Sequence, residues 1–191
     1  KAQTYSGTCG DNLTWTLDTG TGTLTISGEG EMKYANNRSY PPWSNYKDKI
    51  KNVELPDKLT SIRGGAFSYC RNLTSVTIPD GVTSIGMSAF ECCDRLMSVT
   101  MPDSVTSIGN SAFNYCSSLT SITMPEGVLR VGSWAFSYCS SLTSIIIPSS
   151  VTDIGEYAFF NCDSITSITV PANVTNIGEA AFSYCTSMEY I

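Results

Sequence analysis

Histidine is absent from this 191-residue chain. Without it no Ser–His or Cys–His nucleophile can be assembled, and no imidazole is available to hold a metal. Basic residues are almost missing from the second half. Residues 96–191 contain Arg130 against seven acidic side chains, whereas ten Lys/Arg and ten Asp/Glu cancel in residues 1–95. The whole net charge of −6 therefore falls on the C-terminal half. This balance argues against nucleic acid and anionic membrane as partners, since both need clustered Lys and Arg. Long apolar runs are missing too, so no segment reads as a membrane-spanning helix and no direct membrane insertion is expected. The stretch beginning at Lys1 has no basic, apolar, small-residue leader, so an export signal has been removed or was never there.

What is present is a repeat. Phe67, Phe90, Phe113, Phe136, Phe159 and Phe182 follow one another at intervals of 23 residues. Pro56, Pro79, Pro102, Pro125, Pro148 and Pro171 keep the same period, as do Cys70, Cys93, Cys116, Cys139, Cys162 and Cys185. The register runs unbroken from Ile50 to Ile191. A fixed period in the twenties with Leu or Ile at regular offsets indicates a leucine-rich-repeat solenoid, one turn per repeat. The predicted class is an α/β repeat: a right-handed solenoid with one parallel strand and one short helical turn in each repeat.

The physical reading of one repeat, LTSVTIPDGVTSIGMSAFECCDR from Leu73, explains this expectation. Leu73, Val76 and Ile78 form an apolar stripe whose last two members alternate as in a half-buried strand. Pro79 ends the strand by removing a ladder donor. Val82 and Ile85 form a second apolar pair, and Gly86 permits a turn. Ala89, Phe90 and Cys93 have the spacing of one face of a short helical turn. A single turn buries too little to offset its backbone entropy, but stacked turns share a continuous core.

The ends differ from the middle. Residues 1–49 read as a β-rich cap with a hairpin through Leu24 and Ile26, and Trp15, Trp43 and Tyr46 are its predicted packing residues. Six repeats are assigned to residues 50–187. Residues 188–191 begin a seventh, so the natural protein is expected to continue, or to self-associate through an uncapped C-terminal end.

Little of this suggests catalysis, and no catalytic, cofactor or metal residues are assigned. The ladder cysteines read as buried free thiols packing as small hydrophobes. Cys9 and Cys92 lie outside the ladder, and a bond from either remains open. Asp57, Asp80, Asp103 and Glu126 form a row after the prolines, readable as turn residues bonding their own backbone or as a calcium row. Binding is the better-supported activity. Outward strand positions form one row of Ser75, Ser98, Ser121, Ser144 and Ser167. Thr77, Thr100, Thr123, Ile146 and Thr169 form the next, giving a flat hydroxyl face interrupted by Ile146. On the opposite side, Trp134 and Tyr157 occupy positions where other turns have Ser88, Ser111 and Ala180, and Phe160 stands where most turns have small or polar residues. The candidate partner-binding residues are therefore Ile146, Thr123, Thr169, Ser144, Trp134, Tyr157 and Phe160.

The motif LTSVTIPDGVTSIGMSAFECC and its copies from Ile50 to Ile191 resemble the BspA-like leucine-rich repeats. The stretch SGTCGDNLTWTLD followed by GTLTISGEGEM resembles the segment that often precedes them. The pattern departs from receptor-type repeats, because proline follows the strand and cysteine precedes it. The resemblance implies a bacterial secreted or surface-displayed protein without enzymatic chemistry. It also implies adhesion to a protein or glycan of host cells, neighbouring cells or matrix. The competing expectation is a structural spacer with no ligand of its own.

Overall fold

The structure, a computed structural model, describes residues 1–34 and 39–191. The chain opens with an antiparallel meander of β1 (Thr4–Thr8), β2 (Leu13–Asp18) and β3 (Thr23–Glu31). Strand β2 buries Leu13, Trp15 and Leu17 and exposes the residues between them, as its alternating sequence requires. Strand β3 then changes partners along its length. Thr23–Thr25 pair in parallel with β4 (Asn52–Glu54), and Glu29–Glu31 pair in parallel with β5 (Lys58–Ile62). The two halves of one strand thus start two separate stacks.

Each later turn through β13 adds one strand to each stack, and the last turn adds β14 to the second alone. The first stack contains β6 (Ser75–Thr77), β8 (Ser98–Thr100), β10 (Ser121–Thr123) and β12 (Ser144–Ile146). The second contains β7 (Ser84–Ile85), β9 (Ser107–Ile108), β11 (Arg130–Val131), β13 (Asp153–Ile154) and β14 (Asn176–Ile177). From β5 to β14 the second stack is a continuous parallel sheet, and its paired residues, such as Ser84 and Ser107, lie 23 apart. The sequence reading expected one strand per turn. The Thr-Ser-Ile-Gly segment supplies another because its Ile faces the core while its Ser stays partly wet.

Glycine is needed on this second sheet for close approach. A Cβ on Gly132 would lie 2.5 Å from the backbone carbon of Gly109, and one on Gly155 would lie 2.3 Å from the nitrogen of Ser133. Both contacts are with backbone, which cannot rotate aside as a side chain can.

The expected helical turn does not form. Through Ser88–Cys93, the N–H groups of Ala89, Glu91 and Cys93 donate back to the carbonyls of Gly86, Ser88 and Phe90. The alternate N–H groups, on Ser88, Phe90 and Cys92, donate to Asn110, Ala112 and Asn114 of the next turn at 2.8–2.9 Å. A helix would keep all of these donors inside its own segment. Here half of them tie the stack together, and two residues per turn take a left-handed conformation, such as Ser88 at φ 54° and Cys92 at φ 56°. Ala89, Phe90 and Cys93 still share a buried face, so the spacing was real and its cause was different. Among the described residues the helix that forms is a 3-10 turn at Ser44–Lys49, before the repeats.

The left-handed positions give a stability prediction. Ser111 sits at φ 57°, where a side chain is strained and glycine is not, and the first turn already places Gly65 at the equivalent position with φ 68°. Ser111→Gly is expected to raise stability by about 0.5–1 kcal/mol, after the entropy that glycine loses on folding. A urea midpoint below that of the parent would show that Ser111 contacts outweigh the relief of strain.

The core is one continuous column. Phe67, Phe90, Phe113, Phe136 and Phe159 are fully buried, with successive rings stacked 5.3–5.4 Å apart. Trp43 extends the column by stacking on Phe67 at 6.0 Å, and its indole N–H donates to the Ala66 carbonyl at 2.8 Å. Trp15 packs edge-on against Trp43, while Tyr46, half-buried, stacks on Tyr5.

Candidate binding surfaces

The cysteine ladder lies beside the phenylalanine column, away from solvent. All eight cysteines are free thiols, Cys9 and Cys92 included, and Cys92 is half-buried. Cys93, Cys116, Cys139, Cys162 and Cys185 each donate from Sγ to a phenylalanine carbonyl 26 positions earlier, at 3.1–3.3 Å. The sequence reading gave these thiols a packing role and missed the hydrogen bond. Burial, the main cause, pushes the Cys9 and Cys70 thiols up to about 12 and holds Cys93, Cys116 and Cys139 well above their ordinary value. Such thiols are poor nucleophiles.

The row Asp57, Asp80, Asp103 and Glu126 is exposed. Among the described residues no three or more His, Cys, Asp or Glu side chains come together as a metal site. Glu126 accepts a hydrogen bond from the Ser149 hydroxyl at 2.9 Å.

The first stack presents the Ser and Thr rows outward, as its alternation requires. Ser121 pairs with Ser144, and Thr123 pairs with Ile146. Ile146 is 76% exposed, an unusual state for a large aliphatic side chain. The face is not flat. Its ladder joins β6 to β8 and β10 to β12 but continues neither from β8 to β10 nor from β12 to the segment around Ser167. Beside Ile146 lies a shallow cavity of about 400 Å³, lined by Ser144, Ile146, Ser149, Ser167, Thr169 and Pro171 among others. No charged residue lines it. Thr123 is not among its lining residues.

The aromatic candidates lie on the third side of each turn, away from this cavity. Trp134 and Tyr157 stack at 4.2 Å with 12° between their planes, and Phe160 stands across them at 6.0 and 5.5 Å. The seven predicted residues therefore divide between two surfaces. Sequence reasoning missed the rest of the aromatic group. Tyr115 stacks on Tyr138 at 4.3 Å, while Tyr138 and Tyr184 meet Phe160 edge-on at 5.6 and 5.1 Å. The signal was available, because Tyr69, Tyr115, Tyr138 and Tyr184 repeat at one turn position.

A family model described as the BspA type leucine rich repeat region matches residues 43–136 and 106–191, with six copies. The chain belongs to the BspA-type leucine-rich repeat family. No curated protein matches it. Among solved structures, a leucine rich cell surface protein of Faecalibacterium prausnitzii is 34% identical with a TM-score of 0.73. That alignment covers 99% of this chain and 54% of the other, so the BspA-type chain spans about half the length of that relative. A leucine rich repeat protein of T. pallidum is 27% identical with a TM-score of 0.68, over 92% of this chain and 77% of the other. A leucine-rich repeat protein of Bacteroides ovatus is 30% identical with a TM-score of 0.54, over 94% and 51%. No described helix of the BspA-type chain is long and apolar enough to cross a membrane.

Proposed function

We propose that this BspA-type chain is a non-enzymatic binding module, displayed outside the cell, that holds macromolecules of other cells or of matrix on its solenoid surface. The observation that carries the reading is the exposed Ile146 beside an uncharged cavity of about 400 Å³ edged with serine and threonine hydroxyls. An aliphatic anchor ringed by hydroxyls can bury apolar area and satisfy polar groups together. The similarity to a cell surface protein supports the location. A chain without histidine has no Ser–His or Cys–His pair, and its buried thiols are held protonated, which supports the non-enzymatic reading.

Ile146→Asp tests this reading. Retention of the chain on arrays of matrix proteins and glycans should fall by at least about tenfold, with Tm within roughly 2 °C of the parent because the site is exposed. Equal retention of parent and variant would remove Ile146 from the site. A parent chain that binds nothing on the arrays would favour a spacer.

A further inference from the structure

The last turns contain an aromatic corner that the earlier turns lack. The turn position of Trp134 and Tyr157 is held by Gly65, Ser88 and Ser111 in earlier turns and by Ala180 in the next. No ring from a following turn therefore covers the outer face of Tyr157. Phe160 lies at 66° to Tyr157, and Tyr184 lies at 64° to Phe160, so Phe160 makes an edge-on contact with each of the other two rings. Tyr184 is 67% exposed. The rim is acidic. The Tyr157 hydroxyl donates to Glu179 Oε1 at 3.5 Å, and Glu156 is exposed nearby. The Glu179 charge, foremost, together with Glu156, holds the Tyr157 phenol above its ordinary value.

Among the described residues no cation answers this corner. Arg130, the sole basic residue after position 95, lies on the second sheet, paired with Ser107 and Asp153. The first turn behaves differently. Tyr69 holds the same turn position as Tyr184, and Lys47 and Arg71 sit over its ring at 5.5 and 5.7 Å. Arg63 likewise covers Tyr34 at 4.9 Å. Among the described residues the exposed Tyr69 ring of the first turn thus has cations over it, whereas Arg63 covers a buried ring. The C-terminal turns keep the rings, add carboxylates and omit the cations.

We propose that the corner formed by Tyr157, Phe160 and Tyr184, with Glu156 and Glu179 at its rim, receives lysine and arginine side chains of a basic segment on a partner protein. Ring faces attract an ammonium or guanidinium through their quadrupole, and carboxylates beside them strengthen the attraction. The net charge of −6 on the C-terminal half makes the same surface attractive to a basic segment at long range. The proposal deepens the binding-module reading and rests on it, but uses a different side of the solenoid from the Ile146 cavity.

Octaarginine and octalysine are the probes, with octaglutamate and a neutral maltooligosaccharide as comparisons. Trp15 and Trp43 are buried at 5% and 0% exposure, so a change in tryptophan fluorescence on adding peptide reports chiefly on Trp134, and calorimetry gives a second reading. The basic peptides should bind at low salt and weaken as salt rises. Tyr157→Ala and Phe160→Ser install the residues that the chain already carries at Ala180 and Ser183, so the fold should tolerate them. Each should weaken octaarginine binding by about tenfold, and Glu179→Gln by about threefold. Equal binding by these variants would overturn the proposal. So would equal uptake of octaglutamate, preference for the maltooligosaccharide, or no response to the basic peptides. If the peptides fail while Ile146-dependent retention persists, only this proposal falls. If they bind through the corner while the arrays retain nothing, the cavity loses its role and the corner stands.

Discussion

Replacing Phe113 with alanine should lower the unfolding free energy by about 3–5 kcal/mol. Its ring is fully buried and lies between Phe90 at 5.3 Å and Phe136 at 5.4 Å, with interplanar angles of 2° and 7°. The cavity cannot close by local collapse. The backbone on either side is pinned by the bonds from Phe90 N–H to Ala112 and from Phe113 N–H to Ala135, both 2.8 Å. In a stacked array each turn touches only its neighbours, so one deletion in the middle weakens two interfaces. Phe182→Ala is the control. That ring is only partly buried and has Phe159 as its stacking partner, so its loss should cost less than half as much. Urea unfolding of both variants checks the pair. Equal costs would mean that the column does not transmit its stability from turn to turn.

Much of this column was legible in the sequence because it depends on identity at a fixed spacing. An unbroken 23-residue period determines which side chains stack, and burial of Phe67, Cys70 and Leu73 with their copies follows from their apolar character. The helical turn was misread because Ala89, Phe90 and Cys93 would share a face in either backbone. Their spacing cannot report whether Phe90 N–H donates within the turn or to Ala112. The same limit hid the second sheet, whose strands are only two residues long. Gly86 is conspicuous in sequence as a glycine, yet its role comes from a neighbour 22 positions away. A Cβ there would meet the nitrogen of Gly64 at 2.4 Å.

The candidate surfaces were legible to different degrees for a related reason. Ile146 stands out because strand alternation alone puts it outside, and the structure leaves it exposed. The cavity beside it is lined from two neighbouring turns, which no single residue announces. Trp134 and Tyr157 were visible as exceptions to a column of small residues. Their junction with Tyr184 runs through Phe160, a contact between two columns that a one-column comparison cannot reveal.

The thiol ladder makes the fold sensitive to alkali, and the expected effect exceeds that of any single substitution. In the unfolded chain a cysteine loses its proton near 9.0, whereas in the folded chain Cys70 holds it to about 12. Cys9, Cys93, Cys116, Cys139 and Cys162 are raised in the same direction, chiefly by burial. The folded state therefore binds more protons above the unfolded value. Its stability is fully present below pH 9 and falls as pH rises toward the folded values. Each buried thiol contributes a slope of about 1.4 kcal/mol per pH unit, so six together approach roughly 8 kcal/mol per unit. Total stabilities of about 5–15 kcal/mol cannot withstand that slope for long, and unfolding is expected between about pH 10 and 11. Ionisation also removes the Sγ donors to the phenylalanine carbonyls and turns a negative charge toward them. Near-ultraviolet circular dichroism and thiolate absorbance, followed together against pH, should change in one cooperative step. Cys116→Ala should make that step shallower by about one proton. A native spectrum retained at about pH 12 would contradict the assignment of these thiols as buried and protonated.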